Sequence, residues 1–157
     1  VDKWPGKLVV IGDGPDRARL MQLFPSVEFI GERKGDQLAA WYTEADVMFL
    51  ASKLETFGLV QIEAMACGTP VAALPSAATD FVIDGSLAGI VSDDLYAAGL
   101  ELAERKLANP KAMVDACVER ATIFNWEQVC KIALFASTVA KERASAARRA
   151  QLERRNA

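Results

Sequence analysis

The reading of this chain turns on Ser52-Lys-Leu-Glu55-Thr-Phe-Gly58-Leu-Val-Gln-Ile-Glu63-Ala-Met-Ala-Cys-Gly68-Thr-Pro70-Val71. Ahead of it lies the apolar run Asp46-Val-Met-Phe-Leu50, and it ends in a second run, Pro70-Val-Ala-Ala-Leu74. The segment between carries Ile62, Ala66 and Cys67 at helical spacing. Gly68 stops that helix, as a glycine just past a helix end does. The whole is a strand, a loop, a helix, a tight turn and a strand, which is one βαβ unit with its two strands parallel.

Working outward, the same alternation repeats. Lys7-Leu-Val-Val-Ile11 is a strand that ends at Gly12-Asp-Gly14-Pro15, with Leu20, Leu23 and Phe24 at helical spacing after it. Val27-Glu-Phe-Ile30 is the next strand, ending at Gly31, and Leu38, Trp41 and Tyr42 mark a helix after it. Downstream come a short helix over about Thr79–Asp84 and a fifth strand, Leu87–Val91. From Asp94 only helices are expected, one of them broken at Asn109-Pro110. The runs are apolar on both faces, which predicts a parallel sheet covered on both sides. The fold class is therefore α/β, a Rossmann-like doubly wound parallel sheet followed by C-terminal helices. In such sheets ligands bind at the carboxyl ends of the strands. Loops 12–16, 31–36, 51–58 and 75–79 are the candidates.

Composition bounds the chemistry. At 157 residues the length predicts one domain with a sizeable core. No apolar run reaches the 18 or so residues of a membrane-spanning helix. There is no histidine, so His-dependent triads, HExxH sites and histidine switches are excluded. Cys67, Cys117 and Cys130 form neither a disulfide framework nor a zinc pattern, and no paired DxD carboxylates suggest a bound metal. Six of the basic residues, Lys141, Arg143, Arg148, Arg149, Arg154 and Arg155, lie in the last 17 positions, with only Glu142 and Glu153 against them. The preceding body is acidic, which argues against a nucleic-acid surface. The basic tail 141–157 reads as a solvated helix. Peripheral contact with anionic lipid is its alternative, with Leu152 as the sole apolar anchor. A cytoplasmic protein is the default expectation.

The sites follow from the loops. Gly12 and Gly14 allow close approach of a ligand to backbone. Arg17 stands where a dinucleotide fingerprint needs glycine, so a tight strand-to-helix turn with Asp16 as cap is the competing reading. The amides of Gly58, Leu59 and Val60 face out of a helix N-terminus and suit a diphosphate. Glu55 and Glu63 are eight positions apart, about 12 Å along a fully helical path. That is roughly the span from a ribose to a sugar on the far phosphate of a nucleoside diphosphate. Each carboxylate is a good acceptor for paired hydroxyls. The competing reading makes Glu55 a loop acid and Glu63 a solvated helix face, although a carboxylate in so apolar a helix should have a partner.

The block Glu55-x7-Glu63, with Phe57-Gly58 inside it and Ala64-Met-Ala-Cys-Gly68-Thr-Pro70-Val71 after it, resembles the signature of retaining glycosyltransferases of family 4, which have the GT-B fold. Leu8–Pro15, Val27–Gly31, Ala45-Asp46-Val47 and Phe124-Asn-Trp126 resemble further elements of the family, so that the resemblance covers about residues 7–140. It implies a hexosyltransferase whose donor is a UDP- or GDP-sugar, with no separate cofactor and no metal. Glu63 would hold the ribose hydroxyls and Glu55 the transferred sugar. Thr56, Phe57, Gly58, Leu59 and Val60 would line the sugar and diphosphate site, and Arg33 and Lys34 the base. It implies also that residues 1–140 are a nucleotide-sugar-binding domain lacking its first strand and helix, with an N-terminal GT-B domain and a lipid or saccharide acceptor as partners. A non-catalytic nucleotide-binding module and a GT-B sugar-nucleotide epimerase are the alternatives.

Overall fold

The computed structural model describes residues 4–125, most of them in a compact unit that runs to Arg120. Five strands alternate with helices: β1 (Val9–Ile11), α1 (Arg17–Leu23), β2 (Glu28–Gly31), α2 (Asp36–Glu44), β3 (Met48–Leu50), α3 (Leu59–Ala66), β4 (Val71–Ala73), α4 (Ala77–Ile83) and β5 (Gly89–Val91). Helices α5 (Leu95–Ala108) and α6 (Pro110–Thr122) follow, and Asn109 separates them. Proline at the first position of α6 costs no hydrogen bond, because that N–H has no intrahelical partner.

Every strand pair is parallel, as expected, but the sheet is divided. β1 pairs with β2, with Val9 opposite Glu28, and β3, β4 and β5 form a separate three-stranded sheet in that order. Among the described strands full burial is reached in β4 alone, whose Val71, Ala72 and Ala73 are fully buried. In β1 Val10 is exposed, and in β2 Glu28 is exposed and paired with Lys7 at 2.5 Å. A two-stranded sheet has too few neighbours to bury both of its faces.

The core of the three-stranded sheet comprises the small side chains of β4 together with Met65 of α3, Val82 and Ile83 of α4 and Leu102 of α5, all buried. Gly68 has a φ of +79°, and an added Cβ there would stand 3.0 Å from Val114 Cγ1. Both facts exclude an ordinary side chain, and the α3–β4 turn is therefore a glycine turn. Beyond Arg120 the chain finishes α6 and makes a turn, with Phe124 N–H donating to Ala121 O at 3.1 Å. The part of the expected C-terminal helices beyond residue 125, the basic tail 141–157 and Trp126 lie outside the described residues.

Candidate functional site

The candidate loops all leave the carboxyl ends of parallel strands, where a doubly wound sheet binds its ligands. After β1, the loop over Gly12–Asp16 leads to α1. Gly12 N–H donates to Gly31 O at 3.0 Å, which ties this loop to the one after β2. Gly14 N–H is taken by Asp13 Oδ1 at 2.8 Å. Asp16 occupies the N-cap position of α1 but makes no cap with its side chain; Oδ1 accepts from Arg19 Nε at 3.0 Å instead. The expected Asp16 cap is thus a cap by position alone, because Arg19 one turn on competes for the carboxylate. A shallow pocket of about 250 Å³ opens beside this loop, lined by Val10, Gly12, Gly14, Arg17 and Phe29 among others.

After β2, Arg33 and Lys34 both turn back on Glu32. Arg33 Nη1 donates to Glu32 O at 2.8 Å and Lys34 Nζ pairs with Glu32 Oε1 at 3.0 Å. Lys34 is exposed, so its pair is weak and easily exchanged for another anion.

The decisive segment follows β3. The residues up to Gly58 are irregular, and α3 begins at Leu59. Gly58 is the N-cap, with φ +83° in the left-handed region. A fully helical path between Glu55 and Glu63 does not exist, since only the part from Leu59 onward is helical. Before it the chain folds back, so that Glu55 Oε1 accepts Thr56 N–H at 3.0 Å and Gly58 N–H at 3.1 Å. Of the three amides expected to face a diphosphate, Gly58's is therefore occupied by the protein's own carboxylate. Those of Leu59 and Val60 belong to the first helical turn and have no intrahelical carbonyl within reach. Thr56, Phe57, Leu59 and Val60 are all exposed around this N-terminus, an apolar rim about polar backbone.

Glu63 lies one turn into α3 and is exposed on the helix. Its carboxylate has no hydrogen-bond or ion-pair partner among the described residues. The partner expected for a carboxylate in so apolar a helix is not found among the described residues, and an exposed carboxylate needs none. Its charge is felt by Tyr42 of α2, whose phenol is pushed above its ordinary range, first by burial and then by the Glu63 and Cys67 charges. α2 is held against this region by Thr69 Oγ1, which donates to Tyr42 O.

Beyond the expected residues, the first turn of α3 contains Gln61, fully buried, with neither Oε1 nor Nε2 hydrogen-bonded. Reading by residue type missed it, since a glutamine between Val60 and Ile62 looks like a solvated helix position. The fourth loop is capped locally: Ser76 Oγ accepts Thr79 N–H at 3.1 Å at the start of α4. Among the described residues no group of three or more His, Cys, Asp or Glu side chains stands where it could hold a metal ion, and no helix is long and apolar enough to cross a membrane.

The family described as glycosyl transferases group 1 matches residues 2–119. The D-inositol 3-phosphate glycosyltransferase of Corynebacterium kroppenstedtii is 34% identical over 115 residues, 71% of this chain and 26% of that protein. The GDP-mannose-dependent alpha-mannosyltransferase of Mycolicibacterium smegmatis is 32% identical over 126 residues, 79% of this chain and 34% of that protein. The solved structure of sucrose-phosphate synthase from Thermosynechococcus elongatus superposes with a TM-score of 0.63 at 31% identity, over 90% of this chain and 39% of that one. The chain spans about a quarter to a third of the length of these two relatives.

Proposed function

The chain belongs to the glycosyl transferases group 1 family, and on that premise we propose that it is the donor-binding part of a retaining, family 4 GT-B hexosyltransferase. The donor is a nucleotide-diphosphate sugar, of UDP or GDP. A relative that depends on GDP-mannose supports that donor class. The observation that carries the reading is the helix N-terminus at Gly58, with Glu55 folded onto it and Glu63 exposed one turn further along the same helix.

In this reading the diphosphate sits on the amides of Leu59 and Val60. There the helix dipole and the N–H groups stabilise the charge that grows on the leaving group. The Glu63 carboxylate accepts from the ribose hydroxyls. Glu55 turns from its own backbone to the hydroxyls of the transferred sugar. The base lies along Gly31–Lys34, beside the loop of Gly12 and Gly14. Neutralisation of the leaving diphosphate by amides and basic side chains needs no protein-bound metal. With no second carboxylate near Glu55 in sequence as a nucleophile pair, retention would come from front-face return within the donor's own diphosphate.

The divided sheet supports a further part of the reading. A doubly wound sheet has the strand order 3-2-1-4-5-6. Pairs β1–β2 and β3–β4–β5 fit positions 2-3 and 4-5-6 of that order, and the place between them is that of strand 1. A strand supplied from outside residues 1–157 would join the two sheets. The acceptor, a lipid or a saccharide, is bound by a second GT-B domain across the cleft, and the enzyme works in the cytoplasm. Titration of the intact protein with UDP, GDP and their hexose derivatives tests the donor assignment.

A further inference from the structure

Gln61 is the third helical residue after the N-cap Gly58. In a capping box, a Glu or Gln at that position reaches back to accept the N–H of the N-cap residue. Here the Gly58 N–H is held by Glu55 Oε1 at 3.1 Å. Gln61 is fully buried and both polar atoms of its carboxamide lack a partner. Its amide end nevertheless lies against Gly58. A Cβ added to Gly58 would collide with Nε2 and stand 3.2 Å from Cδ, with Val82 Cγ2 at 3.6 Å closing the other side. The Gln61 carboxamide is therefore buried and unpaired beside a residue whose N–H is held by Glu55, and an unpaired buried carboxamide costs stability.

We propose that Gln61 is a positioning residue for donor binding: its Oε1 takes over the Gly58 N–H when the Glu55 carboxylate turns to the hydroxyls of the donor sugar. The inference rests on the donor-site reading above. Without a substitute, releasing Glu55 would strand a part-buried N–H, and that cost would be subtracted from the affinity for the sugar. With Gln61 in place, one pair is exchanged for another and an unpaired amide gains a partner. Rotation about the last side-chain bond exchanges Oε1 and Nε2, so that no backbone motion is needed. The charges favour the exchange as well. Glu55 holds a negative charge on the α3 N-terminus, whereas a glutamine cap is neutral and leaves the field of Leu59 and Val60 to the diphosphate.

The test is calorimetric titration of the intact protein and its Gln61→Met variant, which conserves volume, with a UDP- or GDP-hexose and with the corresponding nucleoside diphosphate. The expected result is a loss of roughly 3- to 10-fold in affinity for the nucleotide sugar, the loss of one hydrogen bond. Affinity for the nucleoside diphosphate is unchanged, and the unliganded melting temperature is equal or higher. Unchanged affinity for the nucleotide sugar, or equal losses for both ligands, would overturn the inference while leaving the donor site intact. A wild-type protein that binds neither ligand overturns the donor-site reading and this inference with it. A second readout needs no variant. With glycine labelled by ¹⁵N, the Gly58 amide stays protected from exchange in wild-type protein saturated with nucleotide sugar. Loss of that protection on saturation contradicts the exchange of acceptors.

Discussion

The carboxylate of Glu55 accepts the N–H of Gly58 at 3.1 Å, so the first anion at the N-terminus of α3 is the protein's own. The same oxygen also takes Thr56 N–H, so one carboxylate holds two amides of the turn. Glu55→Ala therefore removes a cap, and about 1 kcal/mol of stability should go with it, read from urea unfolding. It should weaken a nucleotide sugar while sparing the nucleoside diphosphate. Equal losses for both ligands would contradict the assignment of Glu55 to the sugar.

Tyr42 and Glu63 are coupled through their charges. The Tyr42 phenol is raised by burial first and by Glu63 second. Glu63→Gln should lower it toward its ordinary value, visible as an earlier rise of phenolate absorbance in an alkaline titration. The folded state holds this proton to higher pH than the unfolded one. Its stabilising contribution is therefore complete below the unfolded value of 10.0 and falls as pH rises through the folded value. A titration that Glu63→Gln leaves unmoved would remove Glu63 from the surroundings of Tyr42.

Gly99, in the middle of α5, is a glycine of close approach. An added Cβ would meet the Phe49 ring of β3 and stand 3.2 Å from Trp4 Cζ3, while those two rings pack edge to face at 5.1 Å. Gly99→Ala gains about 1 kcal/mol of helix propensity. It costs about 1–3 kcal/mol in overpacking. A net loss of stability and a shift in tryptophan emission are expected. A variant that unfolds at higher denaturant than wild type would show that the rings give way freely.

Arg120 of α6 closes the C-terminal end of α4. Its Nε donates to Val82 O at 2.7 Å and its Nη2 to Phe81 O at 2.6 Å. A cation on the last carbonyls of a helix also complements its dipole. Arg120→Met keeps the aliphatic stem and should cost about 1–3 kcal/mol, measured by denaturant unfolding with the slope unchanged. A loss within experimental scatter would mean that solvent replaces both bonds.

Much of this was legible in the sequence because it is local. The five apolar runs are the five strands. Gly68 and Asn109-Pro110 stop helices where their backbone chemistry requires it, and Gly58 opens α3. What could not be read depends on where chain and side chain meet across space. Glu55 folding back onto Gly58 is a turn geometry that helical spacing does not encode. The division of the sheet depends on strand neighbours, which periodicity does not specify. The Arg120 bonds to Val82 and Phe81 span 38 and 39 positions. Gln61 is polar by residue type, and only the folded chain shows it fully buried beside Gly58. Asp16 shows the converse, a cap residue by type and position whose side chain is taken by Arg19.

The most direct test of the donor site is calorimetric titration of the intact wild-type protein and its Glu63→Ala variant with UDP, GDP and their hexose derivatives. The account predicts saturable binding of one nucleotide over the other. It predicts that Glu63→Ala weakens that binding by about 1–3 kcal/mol, the loss of hydrogen bonds to a charged group, with the fold unchanged. Folded wild-type protein that binds neither nucleotide, or equal affinity in the Glu63→Ala variant, would contradict it.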